Sequence, residues 1–250
     1  MIRVLFALLL LALPARGESV VAGLSADAIG ITASFDGSTV LIYGAIKRDA
    51  PEPDGKLGVI VTLEGPRQKV TVRRKSREFG IWINSDKLVI DAVPSYYAVA
   101  SSAPIESILP PWIDKSRRIS VPLLIEAFAG PMGQTDGRPF AEALLRIRER
   151  EGVFKLSEGR VRLVENTLFR ADFDLPANLI EGDYTASIYL VRDGTLIDNT
   201  DAPIRVRRVG LERWLYVTSR RQPALYGVLS LALAVFAGWA AAAAFRMIRN

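Results

Sequence analysis

The chain has no cysteine and no histidine among its 250 residues. Without cysteine there are no disulfides, thiolate nucleophiles or Cys-ligated zinc and iron–sulfur centres. Without histidine there is no Ser-His-Asp triad, no His-ligated haem and no usual zinc ligand. No metal, cofactor or catalytic residue is therefore assigned. Acids are mildly short, with 27 Asp and Glu against 32 Lys and Arg, a formal charge of +5 and a pI near 9.6. Taken whole, that balance suits nucleic acid or an anionic surface. Its distribution along the chain changes the reading.

The two ends differ from the middle. Met1–Arg3 is a cationic start, Val4–Leu13 is an apolar run, and Ala15-Arg16-Gly17 puts small residues ahead of Glu18. This is the layout of a secretory signal peptide over 1–17, and the apolar run is too short to span a bilayer comfortably. At the other end, Pro223–Phe245 is 23 residues without a charge. At about 1.5 Å per residue it measures about 34 Å, enough for a hydrocarbon core of about 30 Å. Arg220 and Arg221 flank one side and Arg246 and Arg249 the other, so the positive-inside rule is tied. Export of the N-terminus decides: the β-rich domain lies in the periplasm and the tail 246–250 in the cytoplasm of a bacterial inner-membrane protein. Trp214, Tyr216 and Tyr226 near one boundary and Trp239 towards the other fit interfacial anchoring.

Arg3 and Arg16 leave with the signal, and four arginines bracket the span. That leaves 26 Lys and Arg beside all 27 acids in 18–219, a net charge of −1. The basic pI thus belongs to targeting and to the membrane boundary, and export excludes nucleic acid as a partner. The bilayer is the partner the sequence names directly.

The exported part reads as mainly β, with immunoglobulin-like β-sandwich modules and a helical connecting segment. Alternating runs at Ile29–Ala33, Thr39–Ile46, Leu57–Leu63, Val70–Lys75, Phe79–Ile83 and Leu88–Ala92 make a first module over 18–93. A second covers 156–209. There Phe169, Ala171, Phe173 and Leu175 alternate with Arg170, Asp172 and Asp174. Asp193-Gly194 joins two strands as a tight hairpin, and Tyr184 is placed for a tyrosine corner. The segment 94–155 reads as helical, with an amphipathic helix over Pro139–Arg150 that carries Phe140, Leu144 and Ile147 on one face. A juxtamembrane helix over 210–222 feeds the span at 223–245.

Candidate chemistry is sparse. No lysine has a serine three residues before it, and there is no G-x-S-x-G elbow. Asp172 and Asp174 share a strand face, and Asp198 and Asp201 flank an expected turn; the alternating exposure makes both solvated surface groups. Arg73 and Lys75, Arg160 and Arg162, and Arg205 and Arg207 are each two apart, so each pair shares a face. Were their strands neighbours, the six would form a patch for an oxyanion or lipid headgroups. Ordinary polar-out alternation produces the same pairs. In the span, Ser230, Ala234, Gly238 and Ala242 recur every four residues. Such a stripe suits close packing against another helix, through self-association or docking, although alanine-rich composition also generates it.

Several segments in order resemble a known family: FDGS at Phe35–Ser38, FGIWIN at Phe79–Asn84, PSYYAVA at Pro94–Ala100, ALLRIREREGVF at Ala143–Phe154, LPANLIEGDY at Leu175–Tyr184, VGLERWLY at Val209–Tyr216 and QPALYGVLSL at Gln222–Leu231. They are similar to the alphaproteobacterial "putative transmembrane protein" family, Alph_Pro_TM. That resemblance covers nearly the whole mature chain and brings no catalytic residue with it. It implies a partner, because members are often encoded beside sulfite-exporter-like permeases. The expectation is a non-catalytic accessory or interaction subunit of a transporter-like membrane complex. The alternative is an envelope carbohydrate-binding protein or carboxylate-based glycosidase using Trp82, Tyr96, Tyr97 and Trp112.

Overall fold

The computed structural model describes residues 17–26, 28–32, 35–128, 137–209, 215 and 218–249. The signal stretch 1–16, Trp214 and Tyr216 lie outside the described residues, as does most of 210–217; Leu215 and 218–221 are helical. Strands β1 (Ser19–Leu24), β2 (Ala28–Ile31), β3 (Ser38–Lys47) and β4 (Leu57–Glu64) precede a long hairpin, β5 (Arg67–Glu78) and β6 (Ile81–Pro94). β7 (Tyr97–Ser101) leads to α1 (Ile105–Ile108), α2 (Pro111–Arg117), α3 (Val121–Phe128) and α4 (Arg138–Arg150). β8 (Phe154–Ser157), β9 (Arg162–Val164), β10 (Leu168–Leu175), β11 (Gly182–Arg192) and β12 (Thr195–Arg208) follow, then α5 (Pro223–Arg249).

The strands form a four-stranded sheet in the order β1-β3-β10-β9, a six-stranded sheet β2-β12-β11-β4-β7-β8, and the separate ribbon β5-β6. The chain is mainly β, as its sequence indicates. The strands of 18–93 and 156–209 interleave within shared sheets: β3 pairs with β10 from Ala45↔Leu168 to Ser38↔Leu175, and β4 pairs with β11 from Glu64↔Thr185 to Leu57↔Arg192. Each half supplies the strands that cover the other's open edges.

Alternation places the core. On β10, Phe169, Ala171, Phe173 and Leu175 are buried while Arg170, Asp172 and Asp174 are exposed. Val40, Ile42 and Ile46 of β3 and Tyr184, Ala186, Ile188 and Leu190 of β11 are buried too. Each large apolar side chain contributes about 1.5–3 kcal/mol by leaving water. β4 is buried at every position from Leu57 to Leu63, so both its faces are covered. Gly58 is where α1 lies against it: a Cβ there would collide with the Ile108 side chain.

The segment 94–155 departs from the helical expectation at its start. Tyr97–Ser101 is a strand, buried throughout, antiparallel to β4 and parallel to β8. A short apolar run with no polar side fits an interior strand as well as a helix, and here the sheet takes it. A parallel pair needs a long crossover, which α1 to α4 supply. Asp193-Gly194 makes the expected hairpin, with φ of 45° and 74°. Tyr184 makes the expected corner: its hydroxyl donates to the Ile180 carbonyl at 3.0 Å. Asp198 and Asp201 do not flank a turn; both lie within β12, and Asp198 accepts the Val20 N–H at 2.8 Å.

The chain divides into two compact units. One is the β domain, running to Ile29 and then over Asp36–Val206; the other contains Gly30–Phe35 and the chain from Arg207 onward. In the second, the Val209 N–H donates to the Ile31 carbonyl at 2.9 Å. It also carries α5, of which Pro223–Ala244 is long and apolar enough to cross a membrane. Pro223 opens that helix at a position where its missing N–H costs nothing.

Candidate functional site

The three cationic pairs occupy three different sheets. Arg73 and Lys75 lie on β5 of the ribbon, Arg162 begins β9 of the four-stranded sheet with Arg160 just before it, and Arg205 and Arg207 lie on β12 of the six-stranded sheet. They do not combine into a single six-residue sheet face, because the strands that carry them are not neighbours. Arg205 stands opposite Asp183 in the β11–β12 register.

One pair lines a cleft. β9 pairs with β10 only over Leu168–Arg170, so from Ala171 onward that edge of β10 has no strand beside it among the described residues. Between this open edge and the β7–β8 edge lies a cavity of about 450 Å³. Small side chains, Ala98, Ala100 and Ser157, leave the space, with Tyr96 and Phe173 beside them. Arg160 and Arg162 stand at the rim on either side of Val161. That valine is 3% exposed, and its N–H donates to the Ser101 carbonyl at 3.1 Å. One inward anchor thus holds two cations at the opening. Neither arginine has an acidic partner within ion-pair distance among the described residues.

Lys155 joins them. Its ammonium donates to the Asp174 carbonyl at 3.1 Å, and the Tyr96 hydroxyl donates to the same oxygen at 3.3 Å. These donors satisfy a carbonyl on the open edge that would otherwise lack a strand partner. Burial, with the Asp174 charge and Tyr184 nearby, pushes the Tyr96 phenol well above its ordinary range, so it stays protonated.

The two carboxylates beside the cleft are engaged. Asp172 pairs with Arg170 at 2.9 Å, and Asp174 accepts the Thr39 hydroxyl at 2.9 Å. The Asp172 carboxylate in turn raises the Arg170 guanidinium above its usual value. The arrangement can hold an oxyanion by charge-assisted hydrogen bonds. Of the aromatics weighed for carbohydrate, Tyr96 and Tyr97 are buried, the latter donating to the Ile119 carbonyl at 2.7 Å. Trp82 and Trp112 are exposed on separate elements, the ribbon and α2.

Sequence reading missed Lys155. Its signal is the inward-facing polar pair Lys155 and Ser157 on β8, two apart on a strand whose Phe154 is buried. It also missed a buried ionic cluster. Arg192 and Glu18 meet through two hydrogen bonds of 3.0 and 2.8 Å, and Arg192 donates further to the Pro53 and Gly55 carbonyls at 2.8 and 2.9 Å. Arg48 also binds Glu18. In the span, Ser230, Ala234, Gly238 and Ala242 are exposed along α5, and a Cβ at Gly238 would meet nothing within 4 Å. Among the described residues no group of three His, Cys, Asp or Glu is placed to hold a metal ion.

The family described as "Putative transmembrane protein (Alph_Pro_TM)" matches residues 19–247. No curated protein matches the chain. Among solved structures, the chain is similar to the crystal structure of Spo0M, a sporulation control protein from Bacillus subtilis, at 10% identity and a TM-score of 0.28. That match covers 82% of this chain and 55% of Spo0M, so the chain spans about half the length of that protein. At that score the likeness carries no argument.

Proposed function

The chain belongs to this transmembrane family, and from that premise we propose that it is a single-pass, non-catalytic accessory subunit of a membrane complex. In this reading the signal is removed before Glu18, the β domain lies in the periplasm, and residues 246–250 stay in the cytoplasm of the inner membrane. The span docks through its small-residue stripe to a multi-pass permease. Outside, the β domain binds a small oxyanion at the cleft.

The observation that carries the reading is the cleft: Arg160 and Arg162 lack acidic partners among the described residues, Lys155 stands with them, and small residues hold the space open. Elsewhere in the domain the buried charges serve each other, as in the Glu18–Arg192 pair. A cation pair facing open space is the feature left for a ligand.

Calorimetric titration of the full-length protein, in nanodiscs of neutral phosphatidylcholine, with sodium sulfate tests it. Saturable binding is expected in the wild type. Arg160→Gln and Arg162→Gln should each weaken it about tenfold, the size of a lost charge-assisted hydrogen bond. Absence of saturable binding in the wild type, or equal binding by the double variant, would remove the cleft from the account.

A further inference from the structure

The ribbon β5–β6 carries a second unassigned surface, independent of the cleft. Its strands are 12 and 14 residues, so β5 is about 40 Å long. Val72, Leu88, Ile90 and Val93 at its base are buried. Between Arg73 and Lys87 no described side chain is buried.

The tip carries four apolar side chains, with Glu78 and Arg77 opposite Ile81 and Trp82. Phe79 is fully exposed, Ile81 and Trp82 are 65% and 68% exposed, and Ile83 is 36% exposed. Phe79 and Gly80 make the turn with φ of 50° and 85°. Both central residues of such a turn take the left-handed region, where Asn, Asp or Gly is ordinarily found. A bulky aromatic there is disfavoured and gains no burial in return. Local strain that yields only exposed apolar surface points to a use outside the fold.

Below the tip the ribbon is cationic on one face. Arg77 pairs across to Trp82, Lys75 to Asn84 and Arg73 to Lys87. Directly opposite residues share a face, so four cations and Trp82 line one side with no acid among them. Arg73 and Lys87 are like charges set opposite each other, which weakens the ribbon by itself. The other face is balanced by the Arg74–Asp86 ion pair. Residues 67–94 carry seven Lys and Arg against three acids, a net +4, whereas the remainder of 18–219, with 19 cations and 24 acids, nets −5.

We propose that this ribbon is a membrane-inserting arm: its tip enters a bilayer surface and its cationic face binds anionic lipid headgroups. A protein groove takes one face of a ribbon. Here Ile81 and Ile83 lie on one face, Trp82 on the other and Phe79 at the turn, a wedge that suits an isotropic apolar medium. Aromatic side chains at the headgroup level with basic residues just above them are the ordinary makeup of an interfacial anchor. A bilayer also has its own segment in this chain, since Pro223–Ala244 is long and apolar enough to cross one.

The chain has no cysteine, so Phe79→Cys gives one site for an environment-sensitive fluorophore in the full-length protein, and Lys115→Cys gives an exposed control. Both are reconstituted in vesicles of phosphatidylcholine alone or mixed with phosphatidylglycerol. The label at 79 should be quenched by doxyl-lipid severalfold more than the label at 115, and only in the anionic vesicles. Adding Arg73→Gln, Lys75→Gln or Lys87→Gln should lower the inserted fraction roughly fivefold per cation removed. An unchanged signal at 115 shows that these variants remain folded. Three results would overturn the proposal. The label at 79 could stay open to aqueous iodide in both vesicles. Insertion could be equal in neutral lipid. Protection could rise with the number of chains per vesicle, which would make a second copy the occupant.

Discussion

Glu18 and Arg192 lie 174 residues apart in sequence and meet at 2.8 Å in the fold. Burial raises the Glu18 carboxyl, but hydrogen bonds and charge from Arg192 and Arg48 outweigh it and hold the group below its ordinary 4.5. Because the folded state binds this proton less readily than the unfolded state, the cluster stabilises the domain fully above about pH 4.5. That contribution is lost as the pH falls through the depressed folded value. Urea unfolding of the full-length protein should show the loss, and Glu18→Gln should flatten it in that window. Arg192→Met leaves Glu18 with Arg48 as its cation and removes the donors to the Pro53 and Gly55 carbonyls; it should cost about 1–3 kcal/mol in the same assay. Tyr184→Phe removes the bond to Ile180 and should cost about 1 kcal/mol. Tyr184 is legible in the sequence because Gly182-Asp183 precedes it at a corner. The Glu18–Arg192 pair is not, since nothing local to either residue names a partner so far along the chain.

Elements with a strict period declare themselves. β10 alternates as its sequence requires, and the hairpin at Asp193-Gly194 carries a dipeptide that favours its geometry. β7 does not, because Tyr97–Ala100 is apolar on both sides and periodicity cannot separate strand from helix in such a run. The β5–β6 ribbon is half visible: its strands alternate, but Phe79 reads as strand because Phe-Gly is not a common turn pair. Which strands are neighbours is the least legible feature. Strand order separates three cationic pairs into three sheets and gives Arg160 and Arg162 an unforeseen partner, Lys155. In α5, replacing Gly238 by Ile fills the stripe with a branched side chain and should weaken helix pairing severalfold. Unchanged association of that span in a membrane two-hybrid assay would show that the stripe is compositional.

Across the whole molecule, the near-neutral charge of 18–219 conceals a separation: the arm nets +4 and the rest −5. Composition alone therefore misstates the chain twice, first by counting the six arginines outside 18–219 with those of the domain, then by averaging the arm against the body. In the proposed reading a span holds the β domain at the membrane, and the cleft and the arm are its working surfaces. The central claim is that the protein acts as a subunit and not alone. Native mass spectrometry of the tagged full-length chain, released directly from its own membranes, tests this most directly. The expected particle contains the chain bound to a multi-pass membrane protein; a particle with the mass of the chain by itself would contradict the claim.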